Sequence, residues 1–336
     1  MHSPADTDVS SDFLPARVPG LALVSDELNR VGELMDRQLE SLPDSPELIQ
    51  MAESFRKARG KMLRPGLLLL AAKACGQITS LHIDTAAVLE MIHTATLLHD
   101  DVIDQGQTRR GRATVNSLWG NQCAVLLGDF LLSRVFQMSA RLGPEICRLI
   151  AETTKRICTG ELTQVTQRRN FNLGEAEYIS IITEKSASFF ACCCRLGALL
   201  AGANEKLIDT LAGFGLKMGI AFQITDDLLD LVGAEQKTGK TLRRDVDDNK
   251  PTLAVIHLLT STDESDRKAA EKILSGTADC RQKLIEMLHR CGSLRYADRR
   301  ARQYVTEAIT ELAPLSDSDV KKALIETAKF AARRTS

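Results

Sequence analysis

At 336 residues the chain is long for one domain, yet Gly (21) and Pro (9) together make up only about 9% of it, against roughly 12% in ordinary domains, so its elements should be long. Hydrophobic residues at 44% and charged residues at 26% exclude a disordered chain, a collagen-like repeat and a small disulfide scaffold. Lys+Arg (43) against Asp+Glu (44) leaves a formal charge of -1, so no broad basic surface is available for nucleic acid and any anion site must be local.

The first twenty residues carry Asp6, Asp8 and Asp12 with three prolines and no apolar stretch, which fits neither a secretion signal nor an Arg-rich transit peptide. Residues 1–20 read as a flexible polar tail and 21–336 as one all-helical domain. From residue 21 onward apolar residues recur at helical spacing and period-two runs are scarce, so almost no sheet is expected. Ser45-Pro46-Glu47 reads as an N-cap with Pro at the first helical position. A further helix opens at Pro65 and runs through Leu67, Leu68, Leu70 and Ala71 to Gly76, apolar nearly all round, as in the middle of a bundle. Helices are then expected over Ile83–Asp104, Cys123–Arg141, Pro144–Thr166, Glu175–Ala201 and Asn204–Leu231, with four shorter ones after Ser261, eleven to thirteen in all. The longest unbroken apolar run, Leu67 to Ala72, is far below the roughly 18 residues that span a bilayer, so no transmembrane segment is expected. Nine cysteines, three of them consecutive at Cys192–Cys194 and none at zinc spacing, read as reduced thiols in a cytoplasmic protein.

Two acidic clusters carry the chemistry. Asp100, Asp101 and Asp104 end one helix, and Asp226, Asp227 and Asp230 lie near the end of another. Offsets of three and four residues stack carboxylates a turn apart, where they repel one another and the negative end of the helix dipole. A divalent cation resolves that conflict. Hard oxygen donors without His or Cys favour Mg²⁺, which keeps waters and shares its remaining positions with substrate phosphates. His93 lies two turns ahead of Asp100 on its stripe, and Gln223 one turn ahead of Asp226 and Asp227. Arg109 and Arg110 follow the first cluster, Lys240 and Lys250 follow the second, and Lys61 and Arg64 precede the helix at Pro65. Carboxylates that need metal, cations that need anions and deeply apolar helices between them describe a site for a diphosphate with an apolar tail. Neutralising such a leaving group as its C–O bond breaks is ionisation chemistry.

These residues resemble the trans-isoprenyl (polyprenyl) diphosphate synthases. The match runs from about Leu28 to the C-terminus through Gly60-Lys61-Met62-Leu63-Arg64-Pro65, His93 to Asp104 with Arg109-Arg110-Gly111, Gly128-Asp129-Phe130, Lys185-Ser186 with Phe189-Phe190, and Phe222 to Asp230 with Lys240, Asp245 and Lys250-Pro251-Thr252. Met62 and Arg59 depart from the family's usual Gly-Gly-Lys-Arg pattern, and Arg243 and Asn249 replace glycines usual near the second lysine pair. The resemblance implies an all-α single-domain bundle around a deep central cavity, a homodimer, and head-to-tail condensation of isopentenyl diphosphate onto an allylic diphosphate such as farnesyl or geranylgeranyl diphosphate. It also implies about three Mg²⁺ held by Asp100, Asp101, Asp104, Asp226, Asp227 and Asp230. By the same resemblance Arg109, Lys185, Lys240 and Gln223 contact the allylic diphosphate, Lys61, Arg64, His93 and Arg110 hold isopentenyl diphosphate, and Lys250 adds to substrate binding. Release of a lipid product would involve transient membrane contact.

A terpene cyclase would usually replace the second cluster with an Asn/Ser/Glu pattern, a head-to-head synthase would space its acidic residues differently, and a non-catalytic partner subunit would lose a cluster or the lysines. Ala95 and Thr96 stand five and four positions before Asp100, where short-chain members of the family carry aromatic rings. Small side chains there imply an open tunnel and a long-chain product of the kind used for quinone side chains, with a medium-chain product (geranylgeranyl or hexaprenyl) as the alternative. Thr96 is about 40° from Asp100 around the helix. Phe136 reads as core or as the floor of that tunnel.

Overall fold

The computed structural model describes residues 18–40, 42, 45–57, 60–232, 250–275 and 281–333. A 3₁₀ turn (Pro19–Val24) leads into α1 (Ser25–Leu39), α2 (Pro46–Lys57), α3 (Leu63–Cys75) and α4 (Ser80–Ile103). A minimal hairpin, β1 (Thr108–Arg109) and β2 (Arg112–Ala113), precedes α5 (Val115–Trp119), α6 (Asn121–Ser139) and α7 (Pro144–Thr166). Then come α8 (Glu175–Ile182), a π-turn (Thr183–Ala187), α9 (Ser188–Leu200) and α10 (Glu205–Val232). The chain closes with α11 (Leu253–Ser261), α12 (Glu264–Leu274), α13 (Arg281–Arg290), α14 (Ser293–Glu311) and α15 (Asp319–Arg333).

Fifteen α-helices among the described residues exceed the eleven to thirteen expected. The surplus has local causes: α5 is a single turn capped by Thr114, α11 is a short apolar helix after Pro251, and the expected 175–201 helix is split by the π-turn. The cap at Ser45 forms, its Oγ accepting the Leu48 N–H at 3.3 Å. Val18 is fully buried and a Cβ at Gly20 would collide with the Ala323 carbonyl, so residues 18–20 are packed against the domain. Residues 1–17 lie outside the described residues.

α3 shows why an all-round apolar helix needs neighbours on every side. Leu67, Leu68, Leu69 and Leu70 are all at 0% exposure, each contributing about 2 kcal/mol of burial. They are enclosed by α9, α4, α15 and the 3₁₀ turn. Contact with α9 is so close that a Cβ on Gly197 would sit 2.1 Å from the Leu68 carbonyl oxygen, so only glycine fits there.

α10 has the length and composition to cross a bilayer, although no unbroken apolar run marked it. Half of its most apolar stretch is buried within the protein. Phe214, Met218 and Ala221 join a core built on α1, α3, α4, α6 and α9, while Ile220, Ile224, Leu228 and Leu231 join a second core with α8 and α11 to α14. This helix is therefore the wall shared by both cores, and the polar side chains it carries are held at their junction. Cys192–Cys194 are packing residues. All three are buried, and burial pushes the Cys192 thiol up to about 11 and raises the other two as well, so none is a ready nucleophile at neutral pH.

Candidate active site

The first acidic cluster does not act as three equal carboxylates. α4 ends at Ile103, the chain turns at Gln105 (φ 51°), and the hairpin returns Arg109 against the helix end. Arg109 then clasps Asp101: Nε is 3.2 and 3.0 Å from Oδ1 and Oδ2, and a terminal nitrogen is 3.0 Å from Oδ1. Asn116 holds the loop by donating to the carbonyls of Asp101 (3.1 Å) and Gly106 (3.0 Å). Asp101 is only 4% exposed. The pair is a bidentate fork within the protein, so Arg109, expected on the allylic diphosphate, is engaged by Asp101 in this conformation.

Asp104 accepts from Arg168 at 2.8 Å and from Lys250 at 3.0 Å. Burial works to raise its pKa, but the charge and hydrogen bond of Lys250, with Lys185 and Arg168, hold it below the usual carboxylate value. Asp100 has the opposite balance. Burial, with Glu161 and Asp104 adding repulsion, lifts it to about 6 against the pull of Lys185 and Arg109.

Lys185 owes its position to the π-turn, whose extra residue per turn swings a side chain out of the helical register. Its ammonium donates to Gln164 Oε1 at 2.7 Å and pairs with Glu161, both on α7. Gly160 lets the two elements meet, since a Cβ there would lie 2.3 Å from the Lys185 backbone nitrogen. Beside Lys185, Ser186 donates to Gln223 Oε1 at 2.7 Å, and Gln223 donates from Nε2 to Asp227 Oδ1 at 2.8 Å. The Tyr178 hydroxyl on α8 donates to Asp227 Oδ2 at 2.5 Å. Burial raises Asp227 to about 6, its two hydrogen bonds opposing and its neighbours Asp230 and Asp226 adding to the rise.

Lys250 links the two acidic helix ends. It binds Asp104 and also lines, with Asp227, Tyr178, Gln164 and Thr252, a cavity of about 20 Å³. Arg64 donates to His93 Nε2 at 3.0 Å and lies 4.5 Å from the centre of the Phe190 ring. An arginine cannot accept, so His93 Nε2 is the acceptor and the imidazole is neutral. Burial, then the charges of Arg64, Arg110 and Arg109, keep His93 far below its usual pKa. Arg110, at φ 53°, brings its guanidinium against Gly60, where a Cβ would lie 2.5 Å from it. Lys61 stands 4.7 Å from the centre of the Phe330 ring.

Several sequence-derived candidates fall elsewhere. Phe136 is 73% exposed on the outer face of α6, neither core nor tunnel floor. Ala95 has no exposed area and belongs to the main core, while Thr96 is half-buried, its hydroxyl turned back onto the His93 carbonyl at 2.7 Å. Lys240, together with Arg59, Arg243, Asp245 and Asn249, lies outside the described residues. The sequence reading missed Glu161, Gln164, Arg168 and Tyr178. Glu161 and Gln164, one helical turn apart after Gly160, were the available signal.

Among the described residues no group of carboxylate, imidazole or thiolate side chains converges tightly enough to enclose an ion unaided. Carboxylates on two helix ends linked through Lys250 suit a hard ion that completes its shell with phosphate oxygens and water, which is the habit of Mg²⁺. The donor set therefore fits that ion.

Comparisons with known proteins show what the chain resembles. Octaprenyl diphosphate synthase of Escherichia coli (strain K12) is 35% identical over 300 residues, covering 88% of this chain and 93% of that protein. A short chain isoprenyl diphosphate synthase of Methanothermobacter thermautotrophicus is 34% identical over 320 residues, covering 93% of this chain and 98% of its own. The crystal structure of a polyprenyl synthase from Caulobacter crescentus CB15, complexed with calcium and isoprenyl diphosphate, superposes with a TM-score of 0.90 at 30% identity, over 97% of this chain and 100% of that one. The polyprenyl synthetase family model matches residues 45–291, and the chain belongs to that family of prenyltransferases.

Proposed function

We propose that this chain is a Mg²⁺-dependent synthase that condenses isopentenyl diphosphate head-to-tail with an allylic diphosphate to build a long trans-polyprenyl diphosphate. The observation that carries this reading is Lys250, which pairs with Asp104 of the first acidic cluster and lines one cavity with Asp227 of the second, beside the cations Lys185, Arg64 and Arg110. Asp100, Asp104, Asp226 and Asp230 would hold the metal. Bound there, Mg²⁺ would neutralise the charge of the departing diphosphate. Asp101 and Asp227, engaged by Arg109 and by Tyr178 and Gln223, would support the cluster from behind.

Lys185 would leave Glu161 and Gln164 for the allylic diphosphate, which draws the charge that breaks the C–O bond. Arg64, Arg110 and Lys61 would fix the second diphosphate so that its double bond attacks the allylic carbon. One C–C bond forms, and the adjacent carbon loses a proton to the released diphosphate. Orientation and charge stabilisation are the protein's share, and no protein nucleophile is needed.

The small, half-buried Thr96 supports a long product, as does the octaprenyl relative. Identity alone does not decide length, because the short-chain relative is nearly as similar. The exposed apolar stripe of Val125, Leu126 and Phe136 on α6, with Leu118 ahead of it, supports a homodimer built on that face.

Incubation with Mg²⁺, isopentenyl diphosphate and farnesyl diphosphate, followed by chromatography of the dephosphorylated products, tests the reading. Polyprenols longer than geranylgeraniol are expected, none should form in EDTA, and added Mg²⁺ should restore them. Absence of any condensation product would sink it. The two diphosphate pockets should separate kinetically. Arg64→Ala or Arg110→Ala should raise KM for isopentenyl diphosphate by about ten- to a hundredfold, the scale of one charged hydrogen bond, while Lys185→Ala chiefly impairs the allylic substrate. The reverse pattern would exchange the pockets.

A further inference from the structure

We infer that Tyr178 is a positioning residue for prenyl transfer, acting through Asp227, an assignment that rests on the function proposed above. Tyr178 is 3% exposed, and of the acceptors open to a buried phenol its hydroxyl takes the carboxylate of a residue at the reaction site, at 2.5 Å. The other Asp227 oxygen is held by Gln223 at 2.8 Å, and Gln223 by Ser186 at 2.7 Å. Three consecutive hydrogen bonds thus run from α8 through α10 to the π-turn that carries Lys185. The element holding the allylic diphosphate's cation and the element holding the second acidic cluster are tied to one carboxylate, and Tyr178 fixes that carboxylate from the side away from Gln223. Each oxygen accepts a hydrogen bond from a different element, which sets the rotation of the group.

A buried tyrosine that merely satisfies its hydroxyl would behave differently. Tyr296, half-buried, supplies the comparison: its hydroxyl also donates to a carboxylate, that of Glu175 at the start of α8, and among the described residues it meets no member of the acidic clusters. Losing a charge-assisted hydrogen bond at Asp227 should loosen the cluster without removing a charge.

The test compares Tyr178→Phe and Tyr296→Phe with the wild-type protein by steady-state kinetics and by the rise in unfolding temperature on adding Mg²⁺ with inorganic diphosphate. Tyr178→Phe should lower kcat by about ten- to a hundredfold with KM for isopentenyl diphosphate unchanged. It should also lose more than half of the Mg²⁺/diphosphate shift, whereas Tyr296→Phe keeps both. In a cycle with Asp227→Asn the two kcat losses should be non-additive, as expected of groups acting together. Equal behaviour of the two Phe variants, or additive losses, overturns the assignment. So does a Tyr178→Phe chain that no longer folds without metal, which would make the residue a packing element. A wild-type protein that neither condenses its substrates nor shifts with Mg²⁺ and diphosphate is a different failure, that of the function itself.

Discussion

Asp100→Asn should reduce condensation by a factor on the order of 10²–10³, the cost of removing one group that stabilises charge developing in the transition state, and should at the same time stabilise the metal-free protein. The two effects share a cause. Burial and the repulsion of Glu161 and Asp104 raise the Asp100 carboxyl from 3.8 to about 6 in the folded chain. A carboxyl whose pKa is higher folded than unfolded binds more protons in the native state between those two values, so its contribution to stability falls as pH rises from about 4 to about 6. Above that window the ionised group costs about 3 kcal/mol, which the neutral amide avoids. In EDTA at pH 8 the variant should therefore melt above the wild type, and the gap should close toward pH 4, where both forms are neutral. Mg²⁺ with inorganic diphosphate should stabilise the wild type and leave the variant nearly unchanged. A variant that is less stable at pH 8, or that turns over near the wild-type rate, would remove Asp100 from the charge-bearing set.

That trade between stability and function could be anticipated from the sequence in outline only. Two Asp triplets at three- and four-residue spacing announce a local conflict, because helical periodicity alone stacks their charges. The helices that carry them were legible for the same reason, down to the Ser45 cap and the Gly76 stop. What periodicity cannot report is which carboxylate turns inward. Asp101 is distinguished from Asp100 only by the hairpin that folds Arg109 back, a contact set by the turns at Gln105 and Arg110. The π-turn was invisible because Thr183-Glu184-Lys185-Ser186-Ala187 carries no Gly, Pro or other breaker, so one extra residue per turn leaves no mark in a helix-compatible stretch. Glu161 and Gln164 were missed with it, since their importance lies in facing a lysine that an ordinary helix would have pointed elsewhere. Phe136 failed for another reason. An aromatic residue beside Val135 on an amphipathic helix reads as core whichever elements are present, and its exposure depends on what packs against α6.

The same limit applies to Ala95 and Thr96, and here the structure changes the expected result. Both are small and both precede Asp100 by about one turn, so the sequence offers them equally as the top of a tunnel. Ala95, however, has no exposed area within the main core, and a phenyl ring there must displace neighbours at a cost of about 1–3 kcal/mol. Thr96 is half-buried on the stripe of Asp100, roughly 6 Å along the axis from it, so a ring there projects beside the growing chain without opening the core. Thr96→Phe should shorten the product to roughly three or four isoprene units while the turnover of the first condensation is retained, since no charged group is touched. Ala95→Phe should lower the unfolding temperature and alter product length less. Chromatography of the dephosphorylated products beside thermal unfolding of both variants separates the two outcomes. An unchanged product distribution in a folded Thr96→Phe protein would mean that the chain does not grow along this face of α4, and the long-chain reading would lose the residue on which it stands.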